Sequence, residues 1–197
     1  MIKSWKELSI RKYKAISSLK EDEDWQWNAL AILNDTTYED IVSRPLEETM
    51  ELSRDMRRWI EFKPIIKPTK KQYVINGHRY DFRGYPKDIT TSMYIDFYNV
   101  GRNIPQDLID MLSIFMIPEG KKYNTDYDID EVKKDLEEFN VEDAMSVCDF
   151  FSSLFQVLYR RALKQAQKAL KTARKEGIAT EEAEKALKGY LRSNGSK

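Results

Sequence analysis

Asp126, Asp128 and Asp130 stand at the first, third and fifth places of a twelve-residue window that Glu137 closes. Those are the oxygen-bearing places of an EF-hand calcium loop. The sixth place, where that loop's sharp turn needs glycine, is Glu131, and the residues after it, Val132 and Lys133, continue a helical pattern. The same letters describe a helix start. Asp128 with Glu131 three residues on resembles a capping box, and acids suit the positive end of a helix. The cap is the preferred reading, so no metal site is expected.

The chain holds one histidine, His78, and one cysteine, Cys148. A Cys–His pair would need the two within hydrogen-bond reach and a third group to orient the base. His78 falls beside a turn, where exposure is common. Cys148 falls mid-helix near Val147 and Phe151, where a thiol is expected to be buried and inert. No GxGxxG or GxxxxGK[ST] phosphate loop occurs, and carboxylate pairs are too frequent to be diagnostic. The inventory leads to no catalytic residue and no cofactor, and to the expectation that the protein is not an enzyme.

One group could bind a partner. Residues 160–175 carry Arg160, Arg161, Lys164, Lys168, Lys171, Arg174 and Lys175 with no acid, a net +7. Residues 126–143 carry nine acids against two bases, a net −7. The blocks can pair within one molecule or between neighbours in an assembly, or stand as solvated helix faces. Such a basic helix can also track phosphates, but it lacks interleaved aromatics for base stacking. With 33 basic and 33 acidic residues the formal charge is zero, which argues against a dedicated nucleic-acid binder.

The elements that would position these groups are mostly helices. Segments 8–20 (capped by Ser9), 25–33, 36–41 and 45–62 come first. Leu46, Met50, Leu52, Met56, Trp59 and Ile60 form the expected apolar stripe of the last. Asn76-Gly77 between Gln72–Ile75 and His78–Phe82 is a hairpin signal, because a type I′ turn needs positive φ twice. A two-residue turn sets Tyr73 opposite Tyr80. A lone hairpin is marginal in water, so this one must pack on helices or pair elsewhere. Helices resume at 93–100, at 104–117 (apolar nearly all round and so expected to be buried), at 128–139 and at 141–175, with a last one at 180–191. The expected fold is mainly α, a helical bundle with one small β-hairpin and a long C-terminal helix. Residues 1–159 form the helical domain with the hairpin at 73–82, and 160–197 a basic helical extension.

At 197 residues and 23.3 kDa, the chain suits one domain with an appendage. It is 41% apolar and 34% charged with a mean hydropathy of −0.66, a charge-rich globular composition. No apolar run approaches the roughly 18 residues of a membrane span, and Met1-Ile2-Lys3-Ser4-Trp5-Lys6 lacks the apolar stretch of a signal peptide. A single cysteine forms no internal disulfide.

Several phrases taken in order resemble a known group. They are Trp5-Lys6-Glu7-Leu8-Ser9-Ile10-Arg11-Lys12-Tyr13, Leu30-Ala31-Ile32-Leu33-Asn34, the strand–Asn-Gly–strand unit Tyr73 to Tyr80, Ile89-Thr90-Thr91-Ser92-Met93-Tyr94-Ile95-Asp96, and Ile114 to Pro118-Glu119-Gly120 with Lys122-Tyr123. Across residues 5–125 the chain resembles the tail or baseplate assembly-chaperone-like proteins of tailed phages of gut Bacteroidales, crAss-like phages among them. It departs at Ser92-Met93, where a Gly-Gln pair is expected. The resemblance implies a non-enzymatic virion protein, either a tail or virion assembly factor or a structural component. Its partners would be other virion or tail proteins or a second copy, with no membrane. It would act in the host cytoplasm during assembly or remain in the virion. The rival expectation is a nucleic-acid-associated, cargo-type virion protein using the basic helix 160–175.

Overall fold

The structure is a computed structural model that describes residues 2–60, 63–100, 103, 105–175 and 185. Apart from Lys185, the helix expected at 180–191 lies outside them. The protein is mostly helical with a small antiparallel sheet. It divides into two compact units, Met1–Phe151 and Ser152–Lys197.

In the first unit the chain opens with α1 (Ile10–Ser17), α2 (Trp25–Asn34), α3 (Tyr38–Val42) and α4 (Leu46–Ile60). Short polar side chains start two of these helices, Ser9 as the sequence predicts and Thr37 in addition. Ser9 accepts from the Lys12 N–H at 3.4 Å, and Thr37 forms a reciprocal capping box with Asp40. Leu8, Ile16, Leu30, Leu33, Ile41 and Met56 then close one core with Val141.

The α4 stripe differs from expectation. Leu46 is 74% exposed and Met50 49%, while Thr49, Ser53 and Met56 are buried. Beside Met56 the inner face carries small hydroxyl residues whose hydrogen bonds are satisfied. The Thr49 hydroxyl donates to the Pro45 carbonyl at 3.1 Å, and Ser53 donates to Gln26 of α2 at 3.5 Å. Small side chains let α4 approach its neighbours closely, so the large apolar residues of its first turns face outward.

The hairpin forms as read. β1 (Gln72–Ile75) and β2 (His78–Phe82) pair with Tyr73 opposite Tyr80, and Asn76 (φ 49°) and Gly77 (φ 82°) take the two positive-φ turn positions. It gains a third strand. The helix expected to run through Ile117 is α6 (Leu108–Phe115), and it ends at Phe115. Met116 turns to extended backbone, and β3 (Met116–Pro118) pairs antiparallel with β2, giving the order β1-β2-β3. Three more backbone pairings explain why helix is given up here, and Pro118 could not extend a helix in any case. α6 is buried nearly all round, as its composition requires.

α5 (Thr91–Asn99) precedes α6. α7 (Ile129–Leu136) and α8 (Val141–Lys175) follow the sheet. Asp128 caps α7, but through the Asp130 N–H at 2.9 Å, one residue nearer than a capping box with Glu131 requires. Residues 129–136 are therefore helix rather than a cation-binding loop. Aromatic rings fill the space between sheet and helices. Phe151 stacks on Phe115 at 3.8 Å and tilts against Phe97 and Phe82, each at 5.7 Å.

Gly84 lies against these rings. A Cβ there would fall 2.2 Å from Phe82 Cζ and 2.9 Å from Phe151 Cζ. We expect Gly84→Ala to destabilise the unit by about 1–3 kcal/mol, the usual cost of overpacking a core. Gly77→Ala meets no atom within 4 Å, so it should cost only the strain of positive φ, about 1 kcal/mol. Urea melts of the two variants test the ranking, and equal midpoints would contradict it.

Candidate functional site

The described structure converges titratable groups most tightly at Asp135, on the inner face of α7. Three side chains from the hairpin tip meet its carboxylate. Asn76 Nδ2 donates to Oδ1 at 3.0 Å, Tyr80 Oη donates to Oδ2 at 2.6 Å, and His78 Nδ1 lies 2.5 Å from Oδ2. The Asp135 side chain is 12% exposed and the His78 side chain 69%. The local folding explains the convergence. Strand alternation places His78, Tyr80 and Phe82 on one face of β2, with Tyr73 and Ile75 opposite them on β1. Tyr80 and Phe82 are buried there, and His78 occupies the rim of the same face.

The electrostatics follow the contacts. Burial alone would raise the Asp135 pKa, but hydrogen bonds from Tyr80, His78 and Asn76 outweigh it and hold the carboxyl below the usual range. The hydrogen bond to Asp135, with the charge of Asp135 and Glu131 behind it, raises the His78 pKa. Burial, then the Asp135 hydrogen bond, pushes the Tyr80 phenol up. Such a pair could orient an imidazole as a base, yet Oδ2 already receives Tyr80. Among the described residues the His78 side chain has Asp135 as its one hydrogen-bond partner. The cluster ties the hairpin tip to α7.

The other expected residues lie apart from it. Cys148 is buried in α8, and desolvation pushes its thiol up to about 12, so the nucleophilic thiolate is suppressed at neutral pH. Asp126, Asp128, Asp130 and Glu137 surround a helix, and no group of three or more metal-ligating side chains occurs among the described residues. Of the partner-binding candidates, Lys164, Lys168 and Lys171 are exposed on α8. Arg160, Arg161, Arg174 and Lys175 lie on the same helix, and their side chains fall outside the described set. On a helical wheel all seven positions fall within roughly 140°, and Ala162, Ala166, Ala169 and Ala173 fall on the opposite side.

A cleft of about 420 Å³ is lined by Trp5, Ile65, Lys3, Lys63, Arg58 and Glu142, among others. Three of its charges are paired, Arg58 with Asp55 of the same cleft at 3.6 Å and Glu142 with Lys67. Large apolar side chains are exposed at Val42, Leu46 and Met50, and at Tyr94, Ile95 and Tyr98 of α5. No described helix is long and apolar enough to cross a membrane. No family model, curated protein or solved structure matches the chain.

Asp135 is not legible as a hub in the sequence, because its partners lie 55 to 59 residues away. Alternation could have found half of it. His78 belongs to the apolar face of its strand, so its ring needed a polar partner on whatever element covers that face.

Proposed function

We propose that the protein is a non-enzymatic assembly factor or structural component of a tailed-phage virion, acting through protein–protein contacts. The resemblance over residues 5–125 motivates the phage context. The observation that carries the interaction role is the exposed lysine face of α8, Lys164, Lys168 and Lys171, on a helix with no acid from Phe150 to Lys175. Solvated helices usually mix charge signs. A one-sign face is suited to an acidic partner that it meets by electrostatic attraction. Its partners would be tail or virion proteins in the host cytoplasm, with the particle itself as a further location.

The same face supports a second reading, a cargo-type protein held on nucleic acid by phosphate contacts. Purification of the tagged protein from infected cells separates the two. We expect tail or virion proteins to copurify in an association that survives nuclease and weakens at high salt. Loss of the association on nuclease treatment would favour the cargo reading, and copurification with neither would reject both.

A further inference from the structure

The acidic segment is not uniformly available. Of its nine carboxylates, Asp128 caps α7 locally, and four more are tied to other elements of the first unit. Asp135 holds the hairpin tip, Glu138 pairs with Arg11 at 3.0 Å, Glu142 pairs with Lys67, and Asp143 pairs with Lys70 at 2.9 Å. Asp126, Asp128, Asp130, Glu131 and Glu137 are all exposed, and none forms an ion pair among the described residues. Of the two bases in the segment, Lys133 is drawn away to Asp110 at 2.8 Å, and Lys134 is exposed. What remains is an acidic rim along α7.

The opposite charge stands on α8. Lys164, Lys168 and Lys171 follow one another at helical steps of four and three, so like charges are neighbours and repel. A partner carrying carboxylates would remove that repulsion. The spans also agree. Lys164 and Lys171 are a heptad apart, as are Asp130 and Glu137, each pair about 10 Å along its helix axis.

We propose that the lysine face of α8 in one copy docks on the acidic rim of α7 in a second copy. This rests on the reading of the chain as an assembly protein and supplies a partner for it. The chain carries both halves of the contact. The zero formal charge of the chain disfavours a phosphate polymer as the occupant. If the exchange is mutual the contact closes as a two-fold dimer, and if it runs head to tail it propagates.

Sedimentation velocity on the full chain tests this. Wild type should self-associate at 50 mM NaCl, with the dissociation constant weakened at least about tenfold at 500 mM as screening shortens the reach of the charges. Triple reversal Lys164→Glu, Lys168→Glu, Lys171→Glu should weaken self-association at least about tenfold, and so should Asp130→Lys, Glu131→Lys, Glu137→Lys. Mixed in equal amounts, the two variants should associate with each other to within about threefold of wild type. If the acidic reversal fails to fold, Glu131→Gln with Glu137→Gln serves in its place and should weaken association more modestly. A wild type monomeric at every concentration overturns the proposal, and so does association indifferent to both reversals. Association that appears only with an added DNA duplex overturns it in favour of nucleic acid. Each of the first two leaves the assembly function standing if virion proteins still copurify with the tagged chain.

Discussion

Asp135→Ala should lower the stability of the Met1–Phe151 unit by about 2–4 kcal/mol, read as a shift in denaturant midpoint. The substitution removes an acceptor shared by three side chains. Water can replace it for Asn76 and His78, which are exposed. It cannot readily do so for the buried Tyr80 hydroxyl, and an unsatisfied buried group costs about 1–3 kcal/mol. Tyr80→Phe in the Asp135→Ala background should recover part of the loss, because it deletes the stranded donor. The pH dependence has a definite sign. Asp135 titrates lower in the folded protein than its ordinary value of 3.8. Its contribution is therefore complete above that value and is lost as pH falls through the folded pKa. His78 titrates higher than its ordinary 6.5, so its contribution is complete below 6.5 and fades as pH rises through the folded pKa. The clasp is strongest in mild acid, between the two ordinary values. Wild type should gain stability over His78→Gln near pH 5, and the gap should close near pH 9. Parallel profiles for the two proteins would refute the clasp.

Phe151→Ala should cost about 3–5 kcal/mol, the range for deleting a buried aromatic ring. Phe151 is 1% exposed and touches rings from three directions: Phe115 of α6, Phe97 of α5 and Phe82 of β2. No single neighbour can collapse into the space, since Phe115 is anchored on the buried helix α6 and Phe82 is held by the sheet. Phe151→Leu keeps much of the volume and should cost clearly less. The measurement is equilibrium unfolding by near-ultraviolet dichroism and fluorescence together. A loss under 1 kcal/mol would mean that the ring cluster rearranges freely.

What the sequence discloses here is local. Ser9 and Thr90 cap the helices that they precede, since a cap and the N–H that donates to it lie within three residues. Asn76-Gly77 makes its turn for the same reason. Features that depend on distant partners were hidden. Met116–Pro118 reads as the end of an apolar helix, and only β2, more than thirty residues earlier, makes it a strand. Leu46 and Met50 fit an apolar stripe by spacing, but Thr49 and Ser53 took the inner positions because close packing favoured small hydroxyl residues. Asp135 looked like one acid among nine until the hairpin tip was laid over it. Exposure of Lys164, Lys168 and Lys171 agrees with their pattern, because three like charges on one helix face are too costly to bury.

The chain's two sequence-distant ends of the first unit are sewn together by main-chain bonds. Ile10 N–H donates to the Phe139 carbonyl at 2.9 Å, Arg11 N–H to Glu137 at 2.9 Å, and Val141 N–H to Leu8 at 2.8 Å. That seam closes a loop of about 130 residues, so its entropic cost is met only when most other contacts already exist. During synthesis the consequence is a wait. The first helix leaves the ribosome with its docking partner still untranslated, and at 5–20 residues per second the gap lasts roughly ten seconds. For that interval Leu8, Ile10 and Ile16 have no completed core to enter, and nascent chains are most open to chaperones and to misassociation with one another.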